Sequence, residues 1–560
     1  MVRRYIASAA RRQCAVKAVC VTLFGAALSA FAQEPSADSV ASVTDDERPN
    51  VLLILADDLG YADIGVYGSE IPTPNLDALA RGGMLLTDFY SSMTCSPARA
   101  MLMSGTDSHL AGLGVMARPR REDQQNQPGY VGHLNFRVAS LGELMTDAGY
   151  NTYMTGKWHL GTEVETGPRA RGFKRSFVSL DGAAHLGPWD WRGPQPARYR
   201  DGDDIVLVDD GFYSTRFYTE RMIEYINQDR DDGRPFFAYL AYTAPHWPLQ
   251  APDASIARFK GKYDNGYETL YAQRFARQKE LGLIDADATP IDDARFEPRW
   301  STLSEDARNV ESRHMEIYAA MVSDLDTYIG GLIDFLKEIG EYDNTFIMFV
   351  SDNGAESGRM DLAAFIQEHV GNEYDHSLEN LGRANSYVNY GRNWASVSAT
   401  PFNRHKFTAF EGGVHVPAFI HYPRKVSSGT RSDTTVTIMD LLPTFLALAG
   451  AEHPGSPYRG RDVLAPQGVS LLPILFGEPD EARAENRLFG WELYGHRGVR
   501  QGDWKLVWDN AVPPAQRRWE LFNLELDAFE QNDVSADLPE KYAEMLKGWE
   551  RYDDENDVIY

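Results

Sequence analysis

The sequence predicts an α/β fold with a large, mostly parallel mixed sheet flanked by helices, followed by a smaller antiparallel C-terminal subdomain. Short, continuously apolar segments, which are typical of strands buried on both faces, alternate with helical patterns. From about residue 484 this pattern gives way to short strand-like pieces and a closing helix. Apolar residues at 43% and charged residues at 24% fit a globular chain and exclude disordered, collagen-like and coiled-coil classes.

The elements follow in order along the chain. In the main domain the sequence predicts strands at 50–56, 84–90, 151–155, 236–241 and 345–350. It predicts helices at 75–80, 140–148, 216–228 and 313–339. Gly82 and Gly83 end the first helix. The C-terminal region predicts strands at 487–493, 496–500, 504–508 and 519–524, and a helix at 539–552.

Two insertions, 187–211 and 354–404, break the alternation and read as long loops, which are often functional in compact domains. Their aromatic residues either line a mouth for an aromatic or sugar group or simply pack, and the sequence leaves both open: Trp189, Trp191, Tyr374, Tyr387 and Tyr390.

The first 32 residues read as a signal peptide. Five basic residues precede an apolar run at 18–32, which ends in a small-x-small cleavage site at 30–32. That run is shorter than the roughly 20 residues that a spanning helix needs. We therefore expect a periplasmic or secreted protein without stable membrane association after cleavage, exported by the general or the twin-arginine route. An uncleaved N-terminal anchor is the alternative.

The predicted organisation is thus a signal peptide at 1–32, a flexible acidic linker at 33–48, the main α/β domain at 49–483 and a C-terminal α+β subdomain at 484–560. Removing the signal peptide takes away five basic residues, so the formal net charge falls from −26 to −31. Such a chain repels nucleic acid and anionic membranes. An anionic substrate would need local cations or a metal ion.

Cysteine usage isolates one residue. Cys14 and Cys20 leave with the signal peptide, so Cys95 is the only cysteine of the mature chain. An intramolecular disulfide is therefore excluded. Locally, Ser96 reads as a helix N-cap, Pro97 as the first helical residue and Gly105 as the stop, which puts Cys95 at the positive end of a helix. The alternative is a small buried apolar residue.

Residues that can ionise or bind a metal ion follow the apolar strands. In open α/β sheets ligands bind at the carboxyl ends of the strands, so these groups should converge on one crevice: Asp57-Asp58, Cys95, Lys157 with His159, His246, and Asp352-Asn353. Three carboxylates and an amide oxygen suit Ca²⁺ or Mg²⁺ rather than Zn²⁺. Taken singly, an Asp pair after a strand is more often a turn or a helix cap. Lys406, alone, indicates nothing.

Together these residues resemble the type I sulfatases of the alkaline-phosphatase-like superfamily, and bacterial arylsulfatases in particular. Cys95-x-Pro97-x-Arg99 with Gly105 resembles the first sulfatase signature, and the stretch 156–161 resembles the second. The stretches 244–252 and 351–356 also resemble bacterial arylsulfatases. The resemblance extends from about Pro49 to the C-terminus. Ala98 departs from it, since many members carry Ser or Thr there.

The resemblance implies that a formylglycine-generating maturation enzyme oxidises Cys95 to formylglycine (3-oxoalanine), whose hydrate attacks the sulfur of a sulfate monoester. It implies a metal ion, usually Ca²⁺ with Mg²⁺ possible, held by Asp57, Asp58, Asp352, Asn353 and the modified Cys95. It also implies a role for each remaining site residue: Arg99 holds the diol, Lys157 binds the diol and the sulfate, His159 is the base, His246 is the general acid, and Lys406 with His246 neutralises the leaving oxygen.

We therefore expect a sulfuric ester hydrolase that releases a phenol or alcohol and inorganic sulfate. The alternative enzyme is a phosphonate or phosphate ester hydrolase of the same superfamily. A non-enzymatic, Ca²⁺-binding secreted protein is the third interpretation. Aryl versus carbohydrate substrate, Ca²⁺ versus Mg²⁺ and the oligomeric state stay open at this stage.

Overall fold

The computed structural model describes residues 48–116, 121–180, 185–190, 193–358, 374–478, 480, 483 and 486–560, without the side chains of 189, 190 and 193–195. The predictions for 1–47 lie outside these residues. Helices in the described part are Pro74–Arg81, Cys95–Ser104, Ser108–Ala111, Leu141–Asp147, Ser214–Asp229, Asp253–Ala257, Tyr267–Glu280, Glu305–Glu338, Gly391–Ser398, Glu411–Val414, Leu441–Leu448, Leu472–Phe476 and Pro539–Glu555.

A ten-stranded mixed sheet forms the centre of the fold. In spatial order its strands are β13 (Thr430–Ser432), β2 (Met84–Leu86), β12 (Ala418–His421), β11 (Thr345–Ser351), β1 (Asn50–Ala56), β10 (Phe236–Ala241), β4 (Asn151–Lys157), β5 (Arg175–Ser179), β8 (Arg198–Asp201) and β9 (Asp204–Leu207). The five central strands, β11 to β5 in that order, pair in parallel. β2 runs in the same direction as β11, because each is antiparallel to the intervening β12.

Helices cover both faces of this sheet and explain the continuously apolar strands. In β1, Leu52 and Ile54 face one core, and Leu53 and Leu55 face the other. The long helix Glu305–Glu338 lies on the first face with Pro74–Arg81, Ser214–Asp229, Tyr267–Glu280 and Gly391–Ser398, whereas Cys95–Ser104, Leu141–Asp147 and Leu441–Leu448 lie on the second. The described residues contain no helix that is long and apolar enough to cross a membrane.

The predicted α/β class is confirmed, and several elements need correction. The strand predicted at 84–90 is two pieces: β2, and β3 (Phe89–Tyr90), which leaves the main sheet to pair with β14 (Val436–Thr437). The loop predicted at 187–211 is wrong, because it forms β6 (Trp189–Asp190) with β7 (Gly193–Pro196) and the hairpin β8–β9 at the sheet edge. Backbone pairing there depends on the partner strand, and the sequence pattern of Trp, Pro and Asp does not show it.

The predicted C-terminal antiparallel sheet is present. It consists of β15 (Leu488–Leu493), β16 (His496–Gln501), β17 (Trp504–Trp508) and β18 (Trp519–Asn523), and the helix Pro539–Glu555 packs on it through Trp549. Trp491 Nε1 donates to the carbonyl of Ser91 at 2.7 Å, so this sheet contacts the loop that leads to Cys95. The boundary predicted at residue 484 stays a prediction.

Candidate active site

The parallel strands bring the predicted residues to one edge of the sheet. Asp57 and Asp58 follow β1, Asp352 and Asn353 follow β11, and Lys157 ends β4; all of these are buried. Gly156 is required just before Lys157, because its φ is +110° and a Cβ there would lie 1.7 Å from the carbonyl oxygen of Ala241 in β10. The tight approach of β4 to β10 thus places Lys157 beside the neighbouring strand ends.

Cys95 is the first residue of the helix Cys95–Ser104, with Thr94 as its N-cap and Gly105, at φ 64°, as its end. The prediction of Ser96 as N-cap is therefore wrong by two residues, because the extended residue is Thr94. Cys95 still lies at the positive helix end. Its Sγ lies 3.2 Å from Asp57 Oδ1 and 3.8 Å from Asp58 Oδ1.

The thiol at this position is held in its neutral form. Burial, followed by Asp352 and Asp57, raises the pKa of Cys95 well above its usual value. Reactive cysteines have the opposite property, since it is the thiolate that attacks. An unmodified Cys95 is therefore poorly suited to be a nucleophile.

Arg99, one turn into the same helix, reaches back to the strand ends. Its Nε and one terminal nitrogen donate to Asp352 Oδ2 at 2.9 and 2.8 Å, and the other terminal nitrogen donates to the carbonyl of Lys157 at 2.5 Å. The Asp57 carboxylate lies 3.6 Å away. This fully buried guanidinium therefore fixes the helix against β4 and β11.

Two buried lysines neutralise the first acidic pair. Lys157 Nζ lies 2.6 Å from Asp57 Oδ2, and Lys406 Nζ lies 2.7 Å from Asp58 Oδ1. Lys406 also pairs with Glu356 at 3.0 Å. Sequence reasoning missed Glu356 as a site residue, although it ends the stretch 351–356 that carries the family resemblance.

The pKa values of the two neighbouring carboxyl groups, Asp57 and Asp58, are shifted in opposite directions. Burial alone would raise the pKa of Asp57, but the permanent cations, first Lys157 and then Arg99 and Lys406, lower it well below its usual value. Burial raises the pKa of Asp58 to about 7, although Lys406 opposes this. Asp57 is therefore ionised at neutral pH. Asp58 is only partly ionised there, and a further cation would be needed to keep it fully ionised.

The two site histidines are neutral at pH 7. Burial, followed by Lys157, lowers the pKa of His159 and of His246 well below the usual value. His246 Nδ1 lies within hydrogen-bond distance of the Trp247 carbonyl, and its Nε2 lies 3.5 Å from Asp58 Oδ2. A carbonyl only accepts, so Nδ1 carries the proton, and Nε2 can donate only when the ring is charged. His159 Nδ1 is buried without a hydrogen-bond partner in the described structure.

Sequence reasoning also missed His185, which supports His246. Its Nε2 lies 2.8 Å from the carbonyl oxygen of His246, and its Nδ1 lies 3.3 Å from the hydroxyls of Ser214 and Thr243. Burial lowers the pKa of His185 to about 4, so it is neutral. Nothing in the sequence around position 185 signals this contact, which spans 61 positions along the chain.

The residues present fit a divalent cation. Asp57, Asp58, Cys95 and His246 each offer a ligand atom, all within 4.8 Å of one another. Asn353 Nδ2 donates to Asp58 Oδ1 at 2.7 Å, whereas its Oδ1 is buried without a partner in the part of the chain described. An orphan amide oxygen among carboxylates is the donor that Ca²⁺ or Mg²⁺ takes. Asp352 lies beside this group, with its Oδ2 accepting from Arg99.

The aromatic residues of the insertions differ in their surroundings: some pack on other rings, and one lines a crevice at the active site. Tyr387 packs edge-on against Trp247 with ring centres 5.6 Å apart, and Tyr374 packs against Tyr387 at 5.5 Å. Tyr390 lines a crevice that includes Asp58. The side chain of Trp189 and all of Trp191 lie outside the described residues.

Comparisons with known proteins agree with this geometry. A family model described as "Sulfatase" matches residues 49–451, and one described as "N-sulphoglucosamine sulphohydrolase, C-terminal" matches residues 403–551. An uncharacterized sulfatase of Schizosaccharomyces pombe is 40% identical over 532 residues, which cover 92% of this chain and 95% of that protein. An arylsulfatase of Klebsiella aerogenes is 39% identical over 456 residues, which cover 80% and 96%. The crystal structure titled Ps i-CgsB matches with a TM-score of 0.64 at 26% identity, covering 90% of this chain and 92% of that one.

Proposed function

Because this chain belongs to the sulfatase family and is therefore a sulfuric ester hydrolase, we propose that it hydrolyses sulfate monoesters with a formylglycine derived from Cys95. One observation carries this assignment: the side chain at position 95 lies between Asp57 and Asp58, at 3.2 and 3.8 Å. A thiol gains little there, whereas the hydrated aldehyde supplies a nucleophilic oxygen that a hard cation can also bind.

Asp57, Asp58, Asp352 and Asn353 would hold the divalent cation, which supplies positive charge to polarise the sulfate oxygens. Charge balance supports this. With all four carboxylates ionised, three buried cations, Arg99, Lys157 and Lys406, face the three aspartates and Glu356, which leaves one net negative charge without the metal. A divalent cation reverses that sign, and an anionic sulfate ester can then enter. We propose Ca²⁺ as this cation, with Mg²⁺ as the competitor in the test.

The proposed roles of the protein groups follow from their protonation states. Lys157 and Lys406 stay charged, because Asp57 and Asp58 raise the pKa of their ammonium groups against the effect of burial. They bind sulfate oxygens and the leaving oxygen. Arg99 orients position 95. His159 is neutral and has an unpartnered nitrogen, so it can accept a proton.

His246 is assigned as the general acid with a condition that the sequence did not reveal. Nε2 of His246 donates only when the ring is charged. Without a bound substrate, the pKa of His246 is lowered, so the ring is neutral. The negative charge of a bound ester must therefore raise that pKa before the ring can protonate the leaving oxygen. His185, through the carbonyl of His246, is a positioning residue for this ring.

The substrate test compares kcat/KM for 4-nitrophenyl sulfate, 4-nitrophenyl phosphate and a phenylphosphonate monoester. We expect the sulfate to be preferred, and a clear phosphonate preference would replace this proposal with the alternative hydrolase. The protein must come from a host with a formylglycine-generating enzyme. A tryptic peptide containing residue 95 should then weigh about 18 Da less than the cysteine form, because the thiol has become an aldehyde.

We also propose a periplasmic or secreted location, supported by the basic and apolar pattern of residues 1–32. N-terminal sequencing of the exported protein is the test, with cleavage after residue 32 expected. Retention of the whole segment at the membrane would instead support the uncleaved anchor.

A further inference from the structure

The segment that carries Lys406, residues 403–410, has a strained backbone on both sides of this lysine. Arg404 has a φ of +63° and Phe407 has a φ of +71°, in the left-handed region that residues other than glycine rarely adopt. Such conformations persist only where the surrounding structure holds them in place. The direction in which the Lys406 ammonium group points therefore depends on the contacts that hold this segment.

The main domain holds the middle of the segment. The backbone amide of Lys406 donates to the carbonyl of Ala355 at 3.0 Å, and that of Phe407 donates to the carbonyl of Met93 at 2.9 Å. Ala355 follows β11 and Met93 follows β3, so these two bonds attach the segment next to the proposed metal site. The two ends of the segment are held by other contacts.

The C-terminal region, residues 486–560, holds the start of the segment. The Arg404 guanidinium lies 3.5 Å from the carboxylate of Asp509, and Asn403 Nδ2 donates to the carbonyl of Glu530 at 3.3 Å. One of the two strained residues is therefore paired directly with a side chain of this region.

A buried ionic cluster, the Lys505 cluster of Lys505, Glu411 and Glu530, fixes the residue that follows the segment. Glu411 begins the helix Glu411–Val414. Lys505 Nζ lies 2.5 Å from Glu411 Oε1 and 3.0 Å from Glu530 Oε1. Glu530 Oε2 accepts from the backbone amide of Glu411 at 2.6 Å. All three residues are buried, so these contacts are only weakly screened by water.

The helix that Glu411 begins also packs tightly on the start of the segment. The backbone amide of Gly412 donates to the carbonyl of Asn403 at 2.8 Å. A Cβ at Gly412 would lie 2.2 Å from the carbonyl oxygen of Arg404, so no side chain fits between the helix and the segment. A shift of Glu411 would therefore displace Arg404 and, with it, Lys406.

We propose that Lys505 and Glu530 are positioning residues for Lys406. By fixing Glu411, they hold the segment in the conformation in which Lys406 reaches the leaving oxygen of the ester. This rests on the proposed function, in which Lys406 binds that oxygen. The C-terminal region is then needed for turnover as well as for stability.

The leaving group provides a readout that a loss of stability alone does not change. 4-Nitrophenolate is stabilised by its nitro group and needs little help to leave, whereas phenolate needs more. A poorly placed Lys406 should therefore slow phenyl sulfate more than 4-nitrophenyl sulfate. The measurement is the ratio of the two kcat/KM values, on protein with confirmed modification at position 95.

Lys505→Met keeps the length of the side chain and removes its charge. We expect kcat/KM for phenyl sulfate to fall roughly 10- to 100-fold, since a small misplacement of a catalytic group costs this much. The ratio should change at least about fivefold, in the direction that Lys406→Met produces. In a Lys406→Met background, Lys505→Met should change the ratio less than about twofold, because a residue that acts through Lys406 then has nothing to position.

Lys505→Met leaves two carboxylates buried without their cation, so a second variant covers a failure to fold. Glu530→Leu keeps the Lys505–Glu411 pair and removes the acceptor of the Glu411 amide, and it should change the ratio about threefold in the same direction. If Lys505→Met does not fold, this variant decides. His109→Gln is the matched control, because it also breaks a buried pair with the C-terminal region, through Glu492. It should lower the Tm and keep the ratio.

Three results overturn the proposal: an unchanged ratio in either folded variant, an effect of Lys505→Met on the ratio that persists in the Lys406→Met background, or an equal change of the ratio in His109→Gln. If the modified wild type hydrolyses 4-nitrophenyl sulfate in these cases, only this inference fails. If it hydrolyses neither ester, the proposed function fails as well.

Discussion

Among the described residues, the active site and the cluster around His109 both bury carboxylates with histidine, and the two differ in how completely their atoms are paired. In the His109 cluster, which comprises Asp107, His109, Glu492 and Tyr552, His109 lies between Asp107 at 2.8 Å and Glu492 at 3.3 Å. Tyr552 donates to the second oxygen of Asp107 at 2.9 Å. Against the effect of burial, these carboxylates raise the pKa of His109 to about 9.

The active site has the opposite character. Burial and Lys157 lower the pKa of His159, and its Nδ1 and the Oδ1 of Asn353 have no partner among the described residues. Both clusters are buried and charged, so burial of charge alone does not identify a catalytic site. What distinguishes the active site is that its unpaired atoms lie among candidate metal ligands and buried cations, where a bound ligand would complete the pairing.

The contrast between the two clusters is tested most directly by a substitution at Cys95. We expect Cys95→Ala to lower kcat/KM for 4-nitrophenyl sulfate by at least about 10⁴-fold, because it removes the nucleophile. Its Tm should stay close to that of the wild type, since Cys95 is a small side chain. Residual activity near the wild-type level would contradict the assignment of position 95. His109→Gln is the control and should leave kcat/KM within about threefold.

The same control variant tests the structural role of the other cluster. His109→Gln leaves Asp107 and Glu492 buried without their cation, so we expect a loss of about 3 kcal/mol in the free energy of unfolding. Thermal or denaturant unfolding followed by circular dichroism measures it. An unchanged stability combined with lost activity would reverse the roles that we assign to the two clusters.

Metal removal should act on the active site alone. A cation at about 100 times its Kd stabilises the folded protein by about 2.7 kcal/mol, so chelation should lower the Tm and readdition should restore it. Separate titrations with Ca²⁺ and Mg²⁺, followed by calorimetry, compare the two ions. Asn353→Leu should weaken the binding of the preferred ion at least tenfold, whereas His109→Gln should leave its affinity unchanged. Identical Tm values with and without chelator would contradict a metal site.

The His109 cluster also predicts a pH dependence of stability. The folded pKa of about 9 lies above the ordinary value of 6.5, so the stabilisation is complete below pH 6.5 and is lost as the pH rises through 9. Between pH 7 and 9.5 we expect a loss of about 2 kcal/mol from this group. The measurement is the difference between wild type and His109→Gln across that range. A difference that does not shrink toward pH 9.5 would be inconsistent with a charged His109.

The smallest effect is expected at the surface. Arg81 pairs with Asp77 at 3.1 Å, one turn apart, and its side chain is 66% exposed. Arg81→Ala should change the free energy of unfolding by less than about 0.5 kcal/mol, because exposed pairs are screened by water and salt. A loss comparable to that of His109→Gln would undermine the use of burial and pairing to rank these sites.

Much of the active site was predictable because strand ends are visible in the sequence. Apolar runs followed by Asp57-Asp58 and by Asp352-Asn353 predicted two acidic pairs at one sheet edge, and β1 and β11 do pair in register. Local rules also predicted the stop at Gly105. They placed the N-cap wrongly at Ser96 rather than Thr94, because the hydroxyl residues on either side of Cys95 carry the same signal.

What local patterns could not predict depends on contacts between distant segments. Glu356 beside Lys406, His185 beneath His246 and the hairpin β8–β9 all rely on partners far along the chain. The direction of the pKa shifts is of the same kind, since it depends on which charges surround each group. His109 and His159 are alike as residues, and only the fold surrounds one with carboxylates and the other with cations.

The sequence by itself therefore determined the fold class, the lone cysteine of the main domain and the set of residues that converge at the strand ends. Their apolar spacing and order along the chain are local properties. The tertiary structure alone decided which polar atoms stay unpaired, among them Asn353 Oδ1 and His159 Nδ1 in the active site. Pairing is a property of what surrounds an atom, and the surroundings exist only once the chain has folded.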